Sequence, residues 1–376
     1  MRLTERQLNR ATLGRQLLLA REKLPVVDAV RRVVALQAQE APSPYLALWN
    51  RVAGFDPDEL QRAFADQRVV KAQLFRITLH AVVAADYPAF HEAMERTLRG
   101  ARLYDRRFRS EGVSIEDTMA IVPDLLAFAA TPRSNADVEA WLEERFGEPK
   151  PRIWWALRQY GPFVHAPTGG PWSFGPRPSY VAAVAQDRPG DHVASEAFLV
   201  RRYLEGFGPA TMQDIAQFST IYRPPIKQAL ESLAGELERR EGPRKEALYD
   251  VPGGLLPDED ATAPPRLLPM WDSTLLAYAD RARMMPPDYR KLVMRNNGDV
   301  LPTLLVDGQV AGVWRLLDGR IEATAFHKLA KGDWAGLEDE ARALSAFLAE
   351  RDPKVYGRYA RWWNDLPSAE VRLLGG

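Results

Sequence analysis

The 376-residue chain contains no cysteine. That absence excludes disulfide bridges, thiol nucleophiles and cysteine-bound metal centres, and it fits a reducing compartment. Histidine is scarce too. The five, His80, His91, His165, His192 and His327, include no i,i+4 pair, so neither a metal nor another cofactor is expected. Net charge is also missing, because 50 basic residues balance 50 acidic ones. Any basic surface for nucleic acid must therefore be local. No apolar run is long enough to cross a bilayer, and the chain opens on a helix signal instead of a signal peptide; a soluble, cytoplasmic protein is expected. There is no phosphate loop with its lysine and no G-x-S-x-G elbow. Gly169-Gly170 and Gly253-Gly254 read as turns.

What is present is helical periodicity broken by short strand pairs, over a length that suits two to three domain-sized units. Thr4-Glu5-Arg6-Gln7 has the form of a capping box. A unit of helices followed by a hairpin recurs, most clearly after Gly208. There Thr211 is a candidate N-cap with Asp214 as its partner, and a second helix runs through Ile226, Ala229, Leu230 and Leu233. Strands at 237–240 and 247–251 then flank Glu241-Gly242-Pro243, giving a winged-helix pattern.

An earlier copy has Ser134 capping a helix through Phe146, another helix from Pro151, and strands at 163–165 and 172–174. The first copy has a helix over 57–66 and strands over 69–75 and 76–83. Linkers are expected near 101–115 and 183–193. From about Pro264 the texture becomes β-rich, with strands over 265–270, 300–306, 309–316 and 320–325, a hairpin turn at Asp307-Gly308, and a closing helix over 336–351. The expected fold is α+β, mainly helical: units over 1–110, 111–190 and 191–262, and a small β domain over 263–376.

Two neutral amides stand out. The stripe Val26, Val27, Val30, Val33, Val34 leads to Gln37-Ala38-Gln39, followed by Ala41-Pro42-Ser43-Pro44. Positions two apart diverge on a helix, but Pro42 and Pro44 bias Ala41 and Ser43 toward extended backbone. If the helix loosens, Gln37 and Gln39 project to one side and together offer enough donors and acceptors to hold a water. Alternatively, they are helix-end amides that cap free carbonyls. His80, in Thr78-Leu79-His80, either faces the same cavity or is a satisfied core residue. Glu40 is a rival base that should point away from the glutamines if that stretch is extended.

Two basic clusters complete the inventory. Arg96, Arg99, Arg102, Arg106, Arg107 and Arg109 crowd one segment; Arg281, Arg283, Arg290, Lys291 and Arg295, ending at Asn296-Asn297-Gly298, form the other. Each is either a solvated face paired with acids or a phosphate-binding patch, for which arginine's forked donors are suited. The tryptophans, including Trp154-Trp155 and Trp362-Trp363, are expected mainly in the core.

The runs L-Q-A-Q-E-A-P-S-P-Y-L-A-L-W-N-R, R-I-T-L-H, L-P-M-W-D, V-M-R-N-N-G and V-D-G-Q-V-A-G-V-W-R resemble, in order along nearly the whole chain, the winged-helix DNA glycosylases of the AlkZ/YcaQ superfamily. The resemblance implies three tandem winged-helix units plus a C-terminal β domain around a concave DNA channel. It also implies excision of bulky or crosslinking alkyl adducts, in several members as self-resistance to a DNA-alkylating natural product. Gln37, Ala38 and Gln39 fill the family's catalytic signature in its AlkZ-like form, so Gln37 and Gln39 are the catalytic candidates, with Thr78, His80 and Glu40 as possible lining. Ile77 stands where a glycine is usual. The DNA-contact candidates are Arg102, Arg106, Arg107, Arg281, Arg283, Arg295 and Asn296, with Asp307-Gly308 as a candidate hairpin tip.

The partner implied is double-stranded DNA carrying N7-alkylated purines, bound by a monomer. Lys23 and Lys71 are the nearest lysines to the motif in sequence, too remote to suggest an imine-forming nucleophile, so a monofunctional glycosylase is expected. A winged-helix regulator and a drug-sequestering protein are the alternatives.

Overall fold

Local capping chemistry decides where the principal helices start. The computed structural model describes residues 2–183, 191–364 and 366–376. In it the hydroxyls of Thr4, Ser134 and Thr211 each accept the backbone N–H three residues on, and Gln7, Asp137 and Asp214 return the bond to the cap. These reciprocal bonds satisfy donors that a helix start leaves free. They fix helices at Glu5–Arg15, Asn135–Phe146 and Met212–Ser219, as the sequence indicates. Helices at Pro57–Ala65, Pro151–Tyr160 and Arg223–Ser232 carry a proline in their first turn, where its missing donor costs nothing.

The architecture mixes these helices with antiparallel sheets. Strands β1 (Leu36–Gln37), β2 (Val69–Gln73), β3 (Leu79–Val83), β4 (Arg133–Ser134), β5 (Phe163–Ala166) and β6 (Ser179–Ala182) form one sheet in the order β1-β3-β2-β5-β6-β4. Its two halves meet through a single register pair, Lys71 opposite His165. A separate hairpin joins β7 (Glu238–Glu241) to β8 (Ala247–Asp250). Strands β9 (Arg266–Leu268), β10 (Thr303–Val306), β11 (Gln309–Leu317), β12 (Arg320–Ala325) and β13 (Glu370–Leu374) form the last sheet, ordered β13-β12-β11-β10-β9.

Several expectations are corrected. The second strand of the middle unit is β6, not 172–174. Trp172 is buried instead, edge-on to Tyr45 at 5.2 Å, with its indole N–H donating to Asp352 at 3.0 Å. The expected strand over 76–83 begins only at Leu79, because Phe75–Ile77 form a 3-10 turn. The closing helix starts earlier, at Lys331, and β13 returns beside β12 without any sequence signal that marked it. The segment 101–115 holds the end of the Tyr87–Leu103 helix and a short helix at Arg106–Arg109. Most of the second expected linker, 184–190, lies outside the described residues.

Buried arginine–carboxylate pairs tie the N-terminal helices to the C-terminal half. Arg15 forks onto Asp250 at 2.7 and 2.9 Å, and Arg51 onto Asp272 at 2.9 Å for both bonds. Their neighbours add backbone anchors: Asn50 donates to the Leu267 carbonyl at 2.8 Å and Asn9 to that of Gly308 at 2.8 Å. Among the described residues, no helix is long and apolar enough to cross a membrane.

Candidate active site around Gln37

The helix carrying the valine stripe ends at Arg32, well before the prolines. Val34, at φ 72, turns the chain, and Leu36 and Gln37 then pair with Ala81 and His80 of β3. Sheet pairing therefore extends this backbone, and the bias attributed to Pro42 and Pro44 does not operate at Ser43. That residue is already the first of the Ser43–Trp49 helix, with Pro44 in its opening turn.

Gln37 is buried, with 3% of its surface exposed. Its Nε2 donates to Thr78 Oγ1 at 3.0 Å, and its Oε1 accepts from Arg76 Nη2 at 2.9 Å. The Thr78 hydroxyl donates onward to the Phe75 carbonyl at 3.1 Å. These bonds orient the amide while leaving one Nε2 hydrogen and one Oε1 lone pair unused by them. Beside it lies a cavity of about 10 Å³, whose lining includes Gln37, Ser43, Asp272 and Ser273. That is room for roughly one water.

His80 completes the cluster. Its Nδ1 lies 3.0 Å from the Thr78 carbonyl and must carry the hydrogen, so Nε2 accepts from Arg76 Nη2 at 2.9 Å. Burial first, and then the charge of Arg76, hold its pKa well below the ordinary histidine value. His80 is thus a neutral, oriented acceptor and not an acid at physiological pH.

Arg76 is the residue that the sequence reading passed over, although it begins the R-I-T-L-H run. It and Ile77 both have left-handed backbone, at φ 53 and φ 56. Such a conformation costs an L-residue about 1–2 kcal/mol. The guanidinium lies over the Phe218 ring at 5.2 Å and donates to the Phe218 carbonyl at 3.4 Å. Burial, with a smaller push from Arg281, lowers its pKa to about 9.

Gln39 is exposed and makes no hydrogen bond among the described residues. Gln37, Thr78 and His80 come together, while among the described residues no hydrogen bond ties Gln39 to them. Glu40 is engaged elsewhere: its carboxylate accepts the Tyr359 hydroxyl at 3.0 Å and pairs with Arg358. Burial, then Glu40, raises the Tyr359 pKa. Lys71 pairs in register with Ala81 and His165, one row along from His80, so it projects from the opposite face of the sheet to Gln37. Its ammonium sits 4.5 Å from the centre of the Phe174 ring, and burial lowers its pKa to about 8.

The DNA-contact candidates divide. Arg102 and Arg107 both stack on Trp155, at 4.9 and 4.5 Å, and are further held by Gln159 and Asp105 respectively. Arg106 is exposed. Arg283 packs on Tyr278 at 4.0 Å and donates to the Pro209 carbonyl at 3.0 Å. Arg281, Arg295 and Asn296 border one cavity of about 470 Å³. The Asp307-Gly308 turn is not a free hairpin tip: Asp307 pairs with Arg6 and Arg10, and a Cβ on Gly308 would lie 2.6 Å from Asn9 and Leu13 of the first helix. The turn is a docking point for that helix. Among the described residues, no group of three or more His, Asp or Glu could hold a metal.

The site is thus a buried, fixed amide on a helix-rich frame that ends in a five-stranded sheet. The family model described as DNA glycosylase AlkZ-like matches residues 30–347. A protein of Streptomyces sahachiroi named interstrand DNA cross-link repair glycosylase is 25% identical over 361 residues, covering 91% of this chain and 95% of its own length. The solved structure of Streptomyces sahachiroi DNA glycosylase AlkZ superposes with a TM-score of 0.78 at 20% identity, covering 93% of this chain and 98% of that one. The chain belongs to the AlkZ-like DNA glycosylase family.

Proposed function

We propose that this protein is a monofunctional DNA N-glycosylase that hydrolyses the N-glycosidic bond of bulky or crosslinking N7-alkylated purines, using water guided by Gln37 and Gln39. The observation that carries this reading is the buried Gln37 amide, fixed by Thr78 and Arg76 beside a cavity of about 10 Å³.

Base excision passes through an oxocarbenium-like state, as glycoside cleavage does. An N7-alkylated purine already carries positive charge, so it departs as a neutral base without an acid. An amide is a negligible base at neutral pH, and its contribution is to position. Ordinary purines, being poor leaving groups, are spared. Neutral His80 fits this scheme as an orienting group, and Glu40, held by Arg358 and Tyr359, is not needed as a base. Gln39, exposed beside the cluster, meets the water once DNA covers the site. Lys71 lies across the sheet, which supports hydrolysis without an imine.

In this reading the segments 1–110, 111–190 and 191–262 are tandem winged-helix units that, with the β domain over 263–376, shape a concave channel for double-stranded DNA. The helices and hairpin from Met212 to Asp250 support the third unit most directly. Arg106, Arg281, Arg295 and Asn296 contact the backbone. A DNA-engaging hairpin, if the β domain supplies one, is β11–β12, since its turn glycine, Gly319, has open space around it. The crosslink repair in the name of the Streptomyces relative supports crosslinks as substrates, and protection of a cell that makes an alkylating natural product goes with that. The protein acts as a cytoplasmic monomer.

The test is mass spectrometry of bases released from duplexes carrying N7-alkylguanine, N3-alkyladenine and undamaged purines. Release of N7-alkylguanine with an intact abasic strand is expected. No released base from any duplex, or strand scission with a borohydride-trapped adduct, contradicts the reading.

A further inference from the structure

Arg76 presents a physical difficulty that its surroundings do not resolve. Its guanidinium donates only to neutral acceptors: Gln37 Oε1, His80 Nε2 and the Phe218 carbonyl. Among the described residues the ionisable groups bearing on its charge are Arg281, which repels it, and Tyr203, and no carboxylate pairs with it. A half-buried cation set among neutral groups without an acid beside it is costly. It is also badly placed for the proposed chemistry. A positive group 2.9 Å from the Gln37 carbonyl opposes positive charge developing on a nearby sugar. Both difficulties vanish if the substrate brings an anion.

A place for that anion lies beside Arg281, the cation whose charge bears on Arg76. The cavity of about 470 Å³ is lined by Arg281, Arg290, Lys291 and Arg295, with Asp299 the one acid among its lining residues. Asp299 is already engaged, accepting from the Trp362 indole and the Asn297 amide at 2.9 Å each. Arg281 Nε is buried without an acceptor, and the charged group bearing on Arg281 is another cation, Arg290. Arg290 and Lys291 are exposed and form no ion pair among the described residues. By contrast, Arg295 is tied to the Trp362 carbonyl at 2.9 Å and forms a wall.

We propose that Arg76, Arg281 and this cavity form one seat for the backbone phosphodiester flanking the damaged nucleotide, so that the substrate's own anion neutralises the arginine holding Gln37. Arg76 is then a positioning residue whose charge suits the reaction only when DNA is bound. This rests on the glycosylase reading above and specifies which charge of the DNA that reading needs.

The experiment replaces the phosphate 5′ or 3′ to an N7-alkylguanine with a neutral methylphosphonate, one duplex for each position. Kd and single-turnover base release are measured for wild type, Arg281→Gln and Arg76→Met. On one of the two duplexes, wild type loses about tenfold in affinity, the size of one charge-assisted contact, while Arg281→Gln loses less than about twofold. The surface variant Arg290→Ala/Lys291→Ala lowers the slope of log Kd against log salt by about 2. Arg342→Ala, on the Lys331–Ala349 helix where the arginine pairs with Glu338 and Asp339, leaves the slope unchanged. Equal methylphosphonate losses in wild type and Arg281→Gln, or no loss in either, overturn the seat. So does an equal slope change in Arg342→Ala. Coupling between Arg281 and the phosphate without any base release from wild type keeps the seat and removes the glycosylase reading; base release without coupling does the reverse.

Discussion

Arginine does opposite work in two regions of this molecule. In the clamps between the N-terminal helices and the C-terminal half, Arg15 and Arg51 fork onto fully buried aspartates. In the Gln37 corner, Arg76 is surrounded by neutral acceptors and Arg281 has a cation for its charged neighbour. The first arrangement is a finished electrostatic unit; the second is incomplete without another molecule. A charge count along the chain cannot separate them, because the distinction lies in the partner. The two arginine-rich segments repeat the point. Arg102 and Arg107 are held by Trp155 and its neighbours, whereas the segment from Arg281 to Arg295 leaves cations facing a cavity.

The comparison can be broken by substitution. Arg51→Leu strands Asp272 in the core and is expected to cost about 3–5 kcal/mol in urea unfolding, the usual penalty for halving a buried pair. Arg76→Met removes a cation that has no acid partner, so stability should stay within about 1 kcal/mol of wild type while base release falls. A loss as large as that of Arg51→Leu would erase the contrast. Ile77→Gly tests the strained turn beside Arg76. Glycine adopts φ 56 without a Cβ penalty, but the gain is offset by the greater freedom of unfolded glycine and by loss of the half-buried Ile77 side chain, so stability should stay within about 1 kcal/mol of wild type.

A further effect concerns pH. Burial lowers Lys71 to about 8 in the folded chain, below the usual lysine value. The unfolded state therefore binds more protons between those values, and stability should rise as pH increases through that window. Lys71→Met should flatten the rise, as read from urea midpoints at pH 7.5, 8.5 and 9.5.

Local chemistry was the legible part. Thr4, Ser134 and Thr211 signal their helices because a capping box needs only four consecutive residues. The Asp307-Gly308 turn was equally visible, but its environment was not: docking against Asn9 and Arg10 is a contact between residues about 300 positions apart. The strand misread at 172–174 has the same cause, since aromatic residues suit both a strand and the packing that Trp172 makes against Tyr45. Gln37 stands out in the sequence because a polar residue interrupts an apolar stripe. Arg76 was missed because a single arginine in a loop has no periodicity, and only the folded chain brings it to Gln37 Oε1. The one available hint was its place in the R-I-T-L-H run, four residues before His80.

The most direct test of the Gln37 site is the single-turnover rate of N7-alkylguanine release by Gln37→Ala at saturating enzyme, with Kd measured alongside. If the clamped amide positions the attacking water, the rate falls by about two to three orders of magnitude while Kd stays within about threefold of wild type. A rate within about threefold of wild type, at unchanged Kd, contradicts the role assigned to Gln37.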